Sequence, residues 1–282
     1  MEIFIQAIEK KIKRNIIRNA LTGRYDLAVK HITEVVGQLH ASIPKEKRIS
    51  YGIYYVIVTL GEKVYVHLSK SGADVFECAT ALYDFGEDDR QYYKSKGTAL
   101  SVLSLLSTEA GGGFKKIVPY FKRSASSEYW DLREYAAGFF RKIIRAYPNQ
   151  AREYLTDLTR AEDDKIRRWV SETLRPIREN SWFFKEPEYP ISILRNLFKE
   201  SSPYPRTSMG NNLSDLARRL PDLVCSLVEE LVSSGDKNSY WIAYRACRNL
   251  IKKEPIKVMN LLGVDEYRYK KRIHKRDDYQ RS

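Results

Sequence analysis

The feature that most constrains this chain is a recurrence in its second half. Helical stretches open near Leu132, Ile166, Pro205 and Ser239, at intervals of 34, 39 and 34 residues, each followed by a turn and a second helical stretch. Turn signals fall where such hairpins should bend: YPNQ at 147–150, LPDL at 220–223 and KEPI at 253–256. Proline terminates one helix and fits the first turn of the next. Repeats of this length are helix pairs, and one pair cannot bury its apolar face alone, so neighbours stack into a curved array. The predicted fold class is all-α, a right-handed α-solenoid of helix-pair repeats with a concave surface.

The first half is helical in character but less regular. In DLAVKHITEVVGQL (26–39), Leu27, Ile32, Val35, Val36 and Leu39 fall on one helix face. Residues 54–68, YYVIVTLGEKVYVHL, are β-branched and aromatic; a strand is the alternative, but Gly61 interrupts the run and two short helices are expected. Gly111 to Gly113 predict a flexible joint. The N-terminal run is broken by Glu9, Lys10 and Lys11, so it reads as an amphipathic helix rather than a signal peptide or a membrane span. Cys78, Cys225 and Cys247 lie far apart without a C-x-x-C pair and read as small core hydrophobes in a reducing, cytoplasmic setting. The expected organisation is a repeat domain over 1–264 and a basic tail over 265–282.

Composition enters through charge. Lysine and arginine number 49 against 36 acids, a net charge of +13, which favours a polyanionic partner: DNA, RNA or an acidic membrane surface. A soluble protein with a basic surface is the plain alternative. Solenoid packing sets one helix per repeat side by side, roughly 10 Å apart, along the concave wall. The first helices carry Arg133 and Arg141, Arg167 and Arg168, Arg206, and Arg245 and Arg248. Each alone reads as a solvated arginine, but their recurrence predicts a basic, phosphate-binding groove.

Three stretches carry a resemblance. WDLREYAA at 130–137 is similar to (S/R)-E-(F/Y)-A, IRRWVSETLRP at 166–176 to V-R-R-x-x-S-E-G-x-R-P, and RTSMGNNLSDLA at 206–217 to R-x-S-V-A-N-x-L-N-D-I-A. A weaker fourth, WIAYRACRNLIK at 241–252 with LLG at 261–263, is similar to W-I-x-x-H-A-L-R-T-L-I-K. In this order they resemble the AlkC-type DNA alkylation repair glycosylases of the AlkC/AlkD HEAT-like repeat superfamily, over about residues 128–264. The resemblance implies a monofunctional glycosylase that releases cationic alkylated bases, N3-methyladenine and N3-methylcytosine above all, from double-stranded DNA. It places Glu134, Glu172 and Asp215 as active-site carboxylates and Trp182, with Trp130, as aromatic contacts to the lesion. Arg168 and Arg175 match arginines of the second motif. The implied protein is a nucleoid-associated, cytoplasmic monomer, and some relatives bind damaged or branched DNA without excising anything.

The residue types suit that chemistry. A methylated base is cationic and leaves easily, while positive charge builds on the deoxyribose, where fixed carboxylates would stabilise it. An indole holds a cationic base by cation–π attraction. Structural alternatives stand beside each assignment. Glu172 lies four residues after Arg168, the spacing of a helix-surface ion pair, and Asp215 can pair with Arg218 or Arg219. Trp130 and Trp169 are alternatively core residues. RPIRENSW at 175–182 is two residues longer than the family's R-P-R-L-P-W. The tail run with Lys270, Lys271 and Arg272 reads as a mobile DNA-backbone contact. His31, His40, His67 and His274 lack metal-ligand spacing, and neither a G-x-x-x-x-G-K-S/T loop nor a G-x-S-x-G turn is present. No metal or other cofactor is expected. A protein-binding scaffold is the remaining reading.

Overall fold

A computed structural model describes residues 8–48, 52–86, 90–108 and 113–279. The chain forms two compact units, Met1–Pro148 and Asn149–Ser282. In the first unit, short helical turns over Ile12–Leu21 lead into α1 (Tyr25–Ser42), α2 (Ile53–Lys70), α3 (Val75–Asp84), α4 (Tyr93–Leu106), α5 (Phe114–Ala125) and α6 (Trp130–Ala146). Helix α4 is central and packs against α2, α3 and α6. It is buried all round, from Ser95 to Ser104. Small residues permit that close packing, and Thr98 and Ser104 satisfy their hydroxyls within the helix by donating to the Lys94 and Ser101 carbonyls.

Residues 54–68 do not split into two helices. They lie within the single helix α2, whose apolar residues Val56, Ile57, Leu60, Val64 and Leu68 form one buried stripe. Gly61 is inside that stripe because α4 crosses it: a Cβ at Gly61 would lie 2.3 Å from Ser101 Oγ. Contact between helices, not a break, explains the glycine. Of the expected face of α1, Ile32, Val35 and Val36 are buried, and Leu27 and Leu39 are half-buried. Of the expected glycine joint, Gly111 and Gly112 lie outside the described residues; Gly113 precedes α5 with φ of +52°.

The second unit follows the predicted repeat. Helix α7 (Pro148–Leu158) precedes α8 (Asp164–Thr173), α9 (Glu188–Leu194), α10 (Pro203–Leu216), α11 (Pro221–Ser233), α12 (Lys237–Ala246) and α13 (Pro255–Leu262). Helices α8, α10 and α12 lie side by side, while α11 packs against α12 and α13. The prolines open α7, α11 and α13 as their turn signals predict. Asp163 and Asp236 cap α8 and α12 by accepting from backbone N–H groups in the first turn. One repeat departs from the pattern: between α8 and α10 the second helix is replaced by a 310 segment, Arg178–Phe184, and the short α9. Cys78, Cys225 and Cys247 are all buried.

The C-terminal basic run is not a mobile tail. It forms an antiparallel hairpin, β1 (Glu266–Tyr269) with β2 (Arg272–Lys275), the one exception to the all-helical architecture among the described residues. Period-two alternation turns Tyr267 inward, where it stacks on Tyr244 of α12 at 4.5 Å between centroids and donates to the Tyr244 carbonyl. Tyr244 Oη answers by donating to the Arg268 carbonyl. The hairpin thus covers the open flank of the last repeat, as terminal capping elements of repeat arrays do. No helix among the described residues is long and apolar enough to cross a membrane.

Candidate active site and nucleic-acid interface

Helices α8, α10 and α12 are joined by a buried polar ladder. Asn212 Nδ2 of α10 donates to the Ser171 carbonyl of α8 at 2.8 Å. Ser208 Oγ, also on α10, donates to Glu172 Oε1 at 2.8 Å and lies 3.1 Å from Ser171 Oγ. The next step repeats the device: Asn249 Nδ2 donates to the Ser214 carbonyl at 2.8 Å, and Arg248 Nε to Ser214 Oγ at 2.9 Å. Gly210 allows the approach of α12, since a Cβ there would sit 2.8 Å from Arg245 Cβ. Buried polar groups satisfied in this way fix the register of neighbouring helices.

That ladder sets Glu172 and Asp215 beside one another, at 5% and 6% exposure. A single guanidinium bridges them: Arg175 Nη1 donates to Glu172 Oε2 at 3.2 Å and Nη2 to Asp215 Oδ2 at 2.5 Å. Arg248 Nη2 adds a bond to Asp215 Oδ1 at 3.2 Å. Arg168 stands 3.7 Å from Glu172, and Arg218 3.3 Å from Asp215. Both ion pairs that helix spacing suggests therefore form: the Arg168 side chain is mostly buried with Glu172, whereas Arg218 reaches buried Asp215 from the exposed side. Burial opposes the charge of Arg175, yet the Glu172 and Asp215 carboxylates outweigh it and hold its pKa above the ordinary arginine value.

Asp215 forms part of the wall of a cleft of about 580 Å³, with Arg175, Arg178, Arg218, Arg219 and Arg248 around it. The aromatic on that wall is Phe184, whose ring lies 4.7 Å from the Arg219 guanidinium. Trp182 is not among the residues lining this cleft; its ring packs 4.4 Å from Phe183 and 5.0 Å from Tyr189. The longer connection after α8 is pinned by fully buried Asn180, which donates to the carbonyls of Thr173 and Arg175. Neither Phe184, Arg178 nor the cleft-facing role of Arg218 and Arg219 was anticipated from sequence; the arginine pair one turn after Asp215 was the available signal.

The remaining arginines divide by what they touch. Arg133 on α6 donates to the carbonyls of Ser127 and Glu128, and Arg167 on α8 does the same to Ala161 and Glu162. These two residues hold the turn before their own helix, and Arg167 also grips Glu200 with two nitrogens. A second set lies over aromatics of the neighbouring repeat or the hairpin: Arg168 over Tyr204 of α10, Arg206 over Trp241 of α12 and Arg245 over Tyr269 of β1, at 4.6, 4.8 and 6.0 Å. Lys270, Lys271 and Arg272 stand at the hairpin turn.

Besides Arg133, two predicted site residues belong to the first unit. Glu134 is half-buried on α6. Trp130 begins that helix and is 59% exposed, so it is not a core residue; it precedes the packed face that begins with Leu132. Trp169, by contrast, is core at 1% exposure. Among the described residues no group of three His, Cys, Asp or Glu side chains is arranged to hold a metal ion.

Stacked helix pairs with this internal ladder define an all-α, HEAT-like repeat fold. Three solved structures share it. Alkylpurine DNA glycosylase AlkC from Pseudomonas fluorescens, bound to DNA containing an abasic site analog, aligns over 84% of this chain and 66% of its own, at 20% identity and a TM-score of 0.59. AlkD2 from Streptococcus mutans aligns over 77% of this chain and 98% of its own, at 18% identity and a TM-score of 0.53. The smu.31 protein of Streptococcus mutans UA159 covers 83% and 98%, at 17% identity and a TM-score of 0.50. No protein-family model matches the chain, and no curated protein matches it in sequence. The likeness is one of fold.

Proposed function

We propose that this protein is a monofunctional DNA repair glycosylase that hydrolyses the N-glycosidic bond of cationic alkylated bases, N3-methyladenine and N3-methylcytosine, in double-stranded DNA. The observation that carries the reading is Asp215 on the wall of an arginine-lined cleft, coupled through Arg175 to buried Glu172. A carboxylate in a site otherwise built for anions has a use where positive charge develops. As the C1′–N bond breaks, its electron pair neutralises the departing base and the sugar becomes oxocarbenium-like. Asp215 stabilises that cation and takes the proton of the water whose oxygen adds to C1′. Glu172 holds Arg175 and so fixes Asp215, and Glu134 is the third carboxylate carried by the motif resemblance. The cationic base rests on Phe184, an attraction of about 1–2 kcal/mol when desolvated. The surrounding arginines take backbone phosphates. AlkC, which shares the fold, is itself an alkylpurine DNA glycosylase, and it supports this reading. The proposed protein acts as a monomer without a cofactor.

The test is release of methylated bases from alkylated duplex DNA, followed by chromatography. The unaltered chain should release N3-methyladenine, and Asp215→Asn or Glu172→Gln should slow release by about 10²–10³ while duplex affinity is kept or raised. A second reading rests on the ion pairing of both carboxylates, which suits a non-catalytic binder of damaged or branched DNA. Binding without any released base at high protein concentration would decide for it.

A further inference from the structure

The C-terminal hairpin does more than cover the last repeat. Between it and the end of α12 lies a second cleft, about 690 Å³ in volume, whose charged walls are Arg218, Arg248, Lys252, Lys270, Lys271 and Arg272, with no carboxylate among its lining residues. Among the described residues neither Lys271 nor Arg272 has an acidic partner. Arg218 and Arg248 are also paired with Asp215, but Lys252, Lys270, Lys271 and Arg272 around the same opening repel one another unless an anion occupies it. The hairpin also departs from the residue its turn would favour: Lys270 takes a φ of +56°, a conformation ordinarily given to glycine, so a cation stands where backbone preference argues against a side chain. Tyr269 anchors the strand beneath this turn, because Arg248 Nη1 lies 3.4 Å from its hydroxyl.

We infer that this hairpin cleft is a phosphodiester-binding site, which grips the DNA backbone beside the nucleotide held at Asp215. The placement follows from two shared residues. Arg218 and Arg248 line both this cleft and the one at Asp215, so a single strand can pass from one to the other. Arg248 makes the junction: it bonds Asp215 with Nη2, while Nη1 reaches Asn211 and the Tyr269 hydroxyl. The cations around Tyr269 are dense enough that, although burial opposes it, they pull its phenol below the ordinary tyrosine pKa. Phosphate is the anion that suits such a site, as guanidinium forks match its oxygens and lysines add point charges. The inference rests on the proposed DNA-binding function and adds to it the segment of strand that the hairpin holds.

The experiment measures binding of a duplex carrying a single abasic-site analogue by fluorescence anisotropy across salt concentrations. The triple variant Lys270→Gly, Lys271→Gln and Arg272→Gln removes the three hairpin cations, and glycine at 270 relieves the positive φ, so folding is retained and is checked by circular dichroism and melting. It should bind at least about tenfold more weakly near 0.1 M salt, with a log–log salt slope shallower by about 2–3, since each neutralised phosphate contributes about 0.9. A second arm uses the unaltered chain and single neutral methylphosphonate linkages placed along the strand. Linkages immediately beside the abasic analogue should weaken binding to the unaltered chain and cost the triple variant markedly less. An unchanged slope in the variant, or a methylphosphonate penalty as large in it as in the unaltered chain, overturns the hairpin assignment even where base release is observed. Absence of any duplex binding by the unaltered chain would overturn the assignment and the proposed function together.

Discussion

Arg175 is the residue on which the carboxylate site turns. One guanidinium donates to two buried carboxylates on neighbouring helices, and lysine, with a single point charge, cannot span both. Arg175→Ala should therefore destabilise the fold by about 1–3 kcal/mol, because it leaves two acids sharing a poorly solvated site. Urea denaturation measures this; stability equal to that of the unaltered chain would mean that Arg248, Arg168 and Arg218 suffice to hold the pair. Arg133 and Arg167 teach a different lesson. Both were read as phosphate contacts, yet each has a structural bond to the turn before its helix, so their removal acts on the fold as well as on binding.

At the scale of elements, the contact between α2 and α4 is the sharpest case. Alanine is a better helix former than glycine by about 1 kcal/mol. Gly61→Ala should nevertheless destabilise the chain, by about 1–3 kcal/mol, because its methyl would fall 2.3 Å from Ser101 Oγ and 2.4 Å from Ser101 Cβ. Adding Ser101→Gly should recover part of the loss in a thermal melt; a stabilised single variant would show that the helices move apart freely. The cap of α12 supplies a pH test. The backbone N–H of Ser239, helped by the Ser239 hydroxyl and the N–H of Asn238, holds the Asp236 carboxyl below its ordinary pKa. A depressed folded-state pKa gives stability that is present above the unfolded value and lost as pH falls through the folded one. The melting temperature gap between the unaltered chain and Asp236→Ala should thus be open at neutral pH and close in acid, below the usual carboxylate range. A gap that stays constant into acid would place the cap's contribution elsewhere.

For the whole molecule the governing quantity is the net charge of +13. If duplex DNA is the partner, affinity is set largely by counterion release and falls linearly in log–log form as salt rises. A chain that contacts 6–10 phosphates should lose about 10³–10⁵ in affinity between roughly 50 and 200 mM salt. A protein-binding scaffold of the same charge would show no duplex affinity at low salt. Anisotropy titrations with an undamaged duplex separate the two without any assay of catalysis.

The repeat interval and the prolines at the turns are local signals, and they sufficed to place α8, α10, α11, α12 and α13 of the second unit, though not the 310 segment that replaces one second helix. Motif order likewise brought Glu172, Asp215 and Arg175 forward as a group, because they share the short stretches that the resemblance covers. Three things needed the folded chain. Gly61 reads as a break until α4 is seen crossing it, since close approach between distant helices leaves no mark on either helix alone. Phe184 and Arg219 line the cleft and Trp182 does not, because the 310 segment after α8 sets which of its side chains face the opening, and no sequence period encodes that. The basic C-terminus became an ordered hairpin only through Tyr267 meeting Tyr244. A two-stranded ribbon is marginal in water on its own, and the apolar surface that stabilises it belongs to another part of the chain.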